Sequence, residues 1–498
     1  MTDMNNPLED WSKGVGQEKM LINGEWVEAE NGEWLSVENP AHKGIEAGQV
    51  PSGGAIEVDK AVKAAANAFK SWKKVPARER GKAMLKIADA LEAQSEEFAK
   101  LYTLETGNAI ATQSRGEVML TADLIRYFGG VASEIKGEVV PLGEDLLSYS
   151  RREPIGVVGG IIPWNAPLAL GALKIAMAIT AGNTLVLKPS VEAPLTAIKL
   201  ARICSQFLPK GVLNVITGSG SKCGQSLLDH PMVDKLSFTG STDVGRAVMK
   251  SAAQKIIPVS LELGGKSPQI VFPDANDDVT VQNVINGMRF VRQGQSCTAG
   301  SRLFLHESIF DSFLEKLVSK LKAIKIGDPL DESTQMGAIV TKTQYNTVLS
   351  YIEDAMNQTG ARVLMGGMPP KEGPLAEGYF VEPTILTGVN PDWRIVREEV
   401  FGPVLVVIPW KEEEEVIRMA NDSHYGLSAF IYTHDMSKGL RTAHEIESGF
   451  VQVNQGLGIS PGNSYGGFKQ SGIGREWSLE GMLESFTQRK SITVNLTY

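Results

Sequence analysis

Cysteine and histidine are scarce in this 498-residue chain, with three of one and six of the other. Cys204, Cys223 and Cys297 are odd in number and far apart, which excludes a disulfide-built scaffold and fits a reducing, cytoplasmic compartment. No histidine stands at metal-ligand spacing from a cysteine, so no metal is expected. Basic charge is also short. Against 58 Asp and Glu stand 49 Lys and Arg, a formal net charge of −9, so the chain lacks the basic surface that displaces counterions from phosphates, and nucleic acid is not an expected partner. Uninterrupted apolar runs fall short of the about 20 residues a membrane span needs. The most apolar stretch, 156–187, is cut by Gly159, Gly160, Pro163, Pro167 and Gly182 and reads as buried strand, loop, helix and strand. The polar start from Met1 to Glu18 has no basic cluster followed by an apolar stretch, so neither a signal peptide nor a membrane is expected.

What is present suffices for two or three domains at about 150 residues each. Val58, Val62, Ala65, Phe69 and Trp72 recur at helical spacing; Met84, Ile87, Leu91, Phe98, Leu101 and Leu104 do so again, predicting a second helix that Gly107 stops. From Gly156 the rhythm becomes short apolar runs separated by helical lengths: Val157–Ile162, Thr184–Leu187, Val212–Thr217, Leu236–Thr239 and Val259–Leu263. Continuous apolar strands joined by helical crossovers make a doubly wound parallel sheet, whose ligands sit beyond the carboxyl ends of the strands. Each run here ends in a polar or glycine-rich turn. After Gly265 a second α/β region runs to about Lys469. The tail from Thr487 to Leu496 alternates, with Ile492, Val494 and Leu496 on one face, as a half-buried strand does; it must pair with something, and an oligomer contact is expected. Glu412–Glu415 reads as a solvated helix start.

Three residues can carry chemistry. Cys297 lies in Gly294-Gln295-Ser296-Cys297-Thr298-Ala299-Gly300, a loop of small and polar residues unlike the apolar settings of Cys204 and Cys223. A thiolate is a strong nucleophile but a free thiol has pKa about 8.5, so a catalytic one needs nearby help. Glu262 ends an apolar strand between Leu261 and Leu263; partial desolvation raises its affinity for a proton and suits it to general-base work. Asn165, after Pro163-Trp164, can donate an amide hydrogen to a developing oxyanion. The cofactor signals are incomplete. Gly218-Ser219-Gly220 with Gly224 lacks the third glycine of the dinucleotide fingerprint, since Cys223 holds that place, and Gly240–Gly245 is followed by Arg246 where a phosphate loop needs lysine. Ser241 or Thr242 can still cap a helix whose first amides would hold a pyrophosphate.

Together these segments resemble the aldehyde dehydrogenase superfamily. Pro163-Trp164-Asn165, Lys188-Pro189-Ser190, Phe238-Thr239-Gly240-Ser241-Thr242, Glu262-Leu263-Gly264-Gly265-Lys266, Gly294-Gln295-Ser296-Cys297, Glu399-Val400-Phe401-Gly402-Pro403 and Tyr465-Gly466-Gly467-Phe468-Lys469 follow in that family's order across nearly the whole chain. The resemblance implies an α/β protein with a Rossmann-like doubly wound parallel-sheet domain (19–139 and 156–265), an α/β catalytic domain (266–469) and a small β oligomerisation element (140–155 and 486–498) of a dimer or tetramer. It also implies NAD- or NADP-dependent oxidation of a small-molecule aldehyde to the carboxylic acid, through a thiohemiacetal and a thioester on cysteine. Carried over by position, Cys297 resembles the nucleophile, Glu262 the general base and Asn165 the oxyanion donor, assisted by the Cys297 amide. Ile161, Trp164, Lys188, Ser190, Gly220, Gly224, Ser241, Leu263, Glu399 and Phe401 resemble cofactor-binding positions.

The chain departs from that pattern in two places. Many relatives carry a glutamate three residues after the lysine matching Lys188; here that position is Val191 and Glu192 comes one later, which leaves NAD and NADP both open. Ala166, Leu173, Val291 and Ile459 stand where many relatives carry aromatic residues, which implies an aliphatic funnel for a bulky apolar aldehyde, aromatic, terpenoid or medium-chain. Arg292 beside the nucleophile offers the alternative of a semialdehyde whose carboxylate it binds. Acyl transfer to coenzyme A is disfavoured by Glu262. A cofactor-independent cysteine hydrolase and a non-catalytic structural protein on the same fold are the remaining alternatives.

Overall fold

The computed structural model describes residues 14–456 and 458–497, so the polar start up to residue 13 and the final Tyr498 lie outside the described residues. The apolar runs of the first half pair into an eight-stranded sheet. Its centre is parallel, in the order Val259–Glu262, Lys235–Thr239, Val157–Ile162, Thr184–Pro189 and Leu213–Val215. Antiparallel strands close both sides: Gly472–Ile473 against the first, Met20–Ile22 and then Glu25–Val27 against the last. The central strands are buried on both faces because helices cover both, which explains why they read as continuous rather than alternating apolar runs. The helix Pro167–Ala181 opens with proline at its first turn, closes on left-handed Gly182, and is buried almost along its whole length. Among the described residues no helix is long and apolar enough to cross a membrane.

The second half forms a seven-stranded sheet in the order Arg362–Met365, Thr384–Thr387, Val404–Trp410, Arg302–His306, Pro268–Val271, Ser428–Tyr432 and Phe450–Val453. All its pairings are parallel except the first. The C-terminal strand Thr487–Asn495 pairs antiparallel with Leu146–Pro154, from Thr487 against Pro154 to Asn495 against Leu146, and Val139–Pro141 completes this three-stranded sheet. Much of its surface is exposed and apolar, Val139, Leu146, Leu147, Val494 and Leu496 among it.

One expected element divides. The apolar rhythm from Met84 to Leu104 is carried by two helices, Ala77–Glu92 and Ser95–Thr106, with a break at Ala93 and Gln94. Both bury the same kind of stripe in one core, so periodicity runs across the break unmarked. The stop at Gly107 is where it was expected: its φ of 73° is left-handed, and a Cβ there would stand 2.7 Å from the Ala338 carbonyl oxygen.

Candidate active site

The turns beyond the carboxyl ends of the parallel strands line a cavity of about 500 Å³. From the strand Leu213–Val215 to the strand Val259–Glu262 there are four inter-strand steps, roughly 19 Å of sheet edge at the usual spacing, which suits an elongated ligand. Ile161, Trp164, Lys188, Ser190, Gly220, Ser241, Leu263, Glu399 and Phe401 all stand in its wall. Gly224 does not; a Cβ on it would sit 3.8 Å from the Lys188 side chain, so it lies behind that lysine. Ser241 caps the helix Thr242–Lys255, its Oγ accepting from the Val244 amide at 3.4 Å, so the open amides of that helix end at the cavity wall. Three further features fit a dinucleotide. Gly220 has open space where a side chain would stand, the Thr239 hydroxyl is buried without a partner, and the rings of Trp164 and Phe401 meet edge-on at 5.2 Å. Glu192 also lines the cavity and accepts a hydrogen bond from Ser190.

A second cavity, of about 270 Å³, meets the first. Asn165, Leu170, Thr239, Glu262 and Cys297 belong to the walls of both. The three residues singled out by sequence therefore stand where the two spaces join. Cys297 reaches this point because its loop is tightly wound. Arg289, Gln293 and Gly294 all take left-handed φ values; the Gly294 amide donates to Arg289 O at 3.0 Å and the Gln295 amide to Arg292 O at 2.9 Å. A side chain at Gly294 would stand 2.1 Å from the Gly402 carbonyl oxygen, and one at Gly265 2.5 Å from that of Cys297. The loop is clamped between those two backbones. Asn165 is tied to the same loop, its Nδ2 donating to Gln295 O at 3.1 Å.

Burial dominates the electrostatics here. It pushes the Cys297 thiol up to about 11, against a hydrogen bond with the Tyr465 hydroxyl at 3.4 Å. Burial first, and neighbouring Glu476 second, hold the Glu262 carboxyl well above its ordinary range, against Lys174 and Arg475. Both Glu262 oxygens are buried without a hydrogen-bond partner, which leaves them free for a water. Glu476 is itself paired with Lys174 at 2.5 Å in full burial. Burial likewise pushes Glu399 up to about 7, although its Oε1 accepts from the Gly265 amide at 2.9 Å. Cys204 and Cys223 are buried, with thiols pushed up to about 12 and about 11; neither lines either cavity.

The second cavity corrects part of the sequence reading. Ala166, Val291, Arg292 and Ile459 line it, but Leu173 is fully buried in the core. Ala169 and Leu170, one helical turn earlier, face the space instead. The funnel is also not purely aliphatic, because Phe450, Tyr465 and Trp477 contribute rings from segments far along the chain. Arg292 is committed to protein: its Nη2 lies 3.3 Å from the buried carboxylate of Glu117 and donates to the Tyr102 hydroxyl and the Asn165 carbonyl, each at 3.2 Å. Its charge holds Asn165 in place. Tyr465, Arg289, Glu117 and the Lys174–Glu476 pair were missed. Only Tyr465 left a signal, as the first residue of the Tyr465-Gly466-Gly467-Phe468-Lys469 segment.

Comparison with known proteins gives a consistent answer. The sequence profile described as "Aldehyde dehydrogenase family" matches residues 26–492. DhaS of Bacillus subtilis (strain 168) is 40% identical over 484 residues, 97% of this chain and 96% of that protein. The solved NAD-dependent aldehyde dehydrogenase from Sinorhizobium meliloti is 37% identical, with a TM-score of 0.94 over 98% of this chain and 96% of its own. Betaine aldehyde dehydrogenase (betB) from Staphylococcus aureus, in complex with NAD+, is 38% identical, with a TM-score of 0.93 over 97% of this chain and 95% of its own.

Proposed function

The chain belongs to the aldehyde dehydrogenase family and is an oxidoreductase acting on aldehydes, and from that premise we propose how its own residues carry the reaction. The carrying observation is the junction: one thiol, one carboxyl and one amide face both cavities at once. Cys297 gives up its thiol proton to solvent and adds as the thiolate to the aldehyde carbon, and the Asn165 amide, already pinned beside that loop, donates to the oxygen that becomes negative. When bound in the larger cavity, the nicotinamide dinucleotide supplies the acceptor for the hydride that the adduct must lose. The carbon is then joined to Cys297 as a thioester. Glu262, unpartnered and with raised proton affinity, takes a proton from water, whose oxygen attacks the thioester and releases the acid.

Lys188, Glu399 and the helix end at Ser241 are assigned to ribose and pyrophosphate, and Phe401 with Trp164 to the nicotinamide. NAD is the preferred dinucleotide. The Glu192 carboxylate in the cavity wall supports this, since it would repel a ribose 2′-phosphate. Residues 19–139 and 156–265 are assigned to the dinucleotide and 266–469 to catalysis. Residues 140–155 with 486–498 are assigned to oligomerisation, which their exposed apolar surface supports.

The substrate is a bulky apolar aldehyde. Leu120, Leu170, Val291 and Ile459 supply apolar wall, and Phe450 and Trp477 supply ring faces. Of the funnel's carboxyls, Glu117 and Glu476 are paired with Arg292 and Lys174 while burial favours the neutral form of Glu262, which leaves little fixed negative charge for a quaternary ammonium group. The pairing of Arg292 also weighs against a semialdehyde bound through that residue. Purified protein is to be assayed by reduced-nicotinamide absorbance against a panel of aromatic, terpenoid, medium-chain and acidic aldehydes with betaine aldehyde, each with NAD and NADP. Apolar aldehydes with NAD are expected to give at least tenfold higher kcat/KM; preference for betaine aldehyde or an acidic semialdehyde overturns the substrate reading.

A further inference from the structure

The Tyr465 hydroxyl meets the Cys297 sulfur at 3.4 Å, and the surrounding packing holds it there. The Tyr465 backbone is bridged both ways to Glu476: its amide donates to Glu476 O at 3.1 Å, and its carbonyl accepts from the Glu476 amide at 2.8 Å. Its ring packs edge-on against Phe450 and Trp477, at 5.7 and 6.4 Å between centroids. Only 6% of the residue is exposed, so its ring is enclosed by these neighbours. While the sulfur is a thiol either atom can donate. Once it is a thiolate only the phenol can, and a hydrogen bond to a charged acceptor is about twice as strong as a neutral one.

We propose that Tyr465 is a catalytic residue whose hydroxyl donates to the Cys297 thiolate, aiming the sulfur at the cavity junction and extending its charged form toward neutral pH. This rests on Cys297 being the nucleophile. The proton stays on Tyr465, because burial first and the charges of Cys297 and Glu262 next hold the phenol well above its ordinary range. Other charged groups face the pair: Glu399 and Glu262 oppose a thiolate and Arg292 favours it, while Arg289 acts on both phenol and sulfur. The bond is strong only while sulfur carries negative charge, that is before attack and again as thiolate leaves the thioester. Carbon-bound sulfur is a weak acceptor, so the interaction does not stabilise the resting acyl form.

The size of the effect follows from thiol chemistry. Lowering the thiol pKa by one unit multiplies the thiolate fraction tenfold well below that pKa but reduces intrinsic nucleophilicity with a slope of about 0.4–0.5, a net gain of about threefold. A hydrogen bond to a charged group shifts a pKa by about one to two units. Tyr465→Phe should therefore slow Cys297 about threefold to tenfold near neutral pH and become as fast as wild type, or faster, in alkali.

The test is alkylation of the apoenzyme by iodoacetamide, by rapid pH-jump mixing from neutral to strongly alkaline pH, with the labelled cysteine located by peptide mass. The expected result is label on Cys297, with the Tyr465→Phe profile displaced one to two units upward and the two profiles converging or crossing at high pH. Equal rates at every pH, or one constant factor at every pH, overturn the proposal, the second because it marks a packing role only. Label on Cys204 or Cys223 instead overturns the reading of Cys297 itself, a distinguishable failure. Site-specific fluorotyrosine at position 465 keeps the ring and strengthens the donor, so it should move the midpoint downward; an unmoved midpoint overturns the proposal even if Tyr465→Phe fails to fold.

Discussion

The two cavities that meet at Cys297 are built on opposite plans. The larger is made mostly of the carboxyl ends of adjacent parallel strands and the turns that follow them, closed by Cys297 and by Glu399, Val400 and Phe401 from the second half of the chain. The smaller is made of side chains converging from helices, loops and a strand end far apart in the chain, such as Leu120, Leu170, Val291, Phe450 and Trp477. The first kind of site is set by sheet topology, and a change of one residue alters a contact. The second is set by tertiary packing, so one helical turn decides whether a residue touches ligand or core. The proposed chemistry sits where the topological wall and the packed wall touch.

Glu262→Gln breaks the junction most severely. It keeps the shape but removes the base, and turnover should fall by about 10²–10⁴-fold, the usual scale for a positioned general base. The pH profile carries the sign. Because burial and Glu476 raise the Glu262 pKa, the basic form accumulates as pH rises, so wild-type hydrolysis climbs with pH and falls as Glu262 takes up its proton. Glu262→Gln should lose that climb in pre-steady-state acid release; an unchanged climb removes Glu262 from the role.

A smaller effect sharpens the contrast inside one helix. Leu173→Ala deletes a fully buried side chain and should cost about 2–5 kcal/mol of stability in chemical denaturation with little change in KM. Leu170→Ala opens the wall that both cavities share and should change aldehyde KM several-fold with less loss of stability. The reverse outcome would return position 173 to the funnel and refute the assignment of faces.

That contrast also governs what could be read from sequence. The parallel strands, the polar turn after each, and Asn165 and Glu262 at their carboxyl ends were legible because a buried strand and its turn are local patterns, and Cys297 because its own loop is small and polar. Gly107 was legible as a helix stop for the same reason, whereas the break at Ala93 was not, since both helices pack one face into one core. Leu173 was misplaced by a turn because an all-apolar helix such as Pro167–Ala181 has no polar face to mark its orientation. The pairing of Arg292 with Glu117 and of Lys174 with Glu476 spans 175 and 302 residues, and nothing local announces either partner. Val191 and Glu192 show an intermediate case: the offset was visible, but only the folded loop brings Glu192 to the cavity wall.

The account stands on a covalent bond forming between Cys297 and the aldehyde carbon at the meeting of the two cavities. Intact-protein and peptide mass spectrometry of Glu262→Gln after mixing with NAD and an aromatic aldehyde measures that directly. The account predicts a gain equal to the acyl group, located on Cys297, appearing only with dinucleotide present and absent when Cys297 is also replaced by serine. Acid production by Cys297→Ser at an undiminished rate, or acyl mass on any other residue, would contradict it.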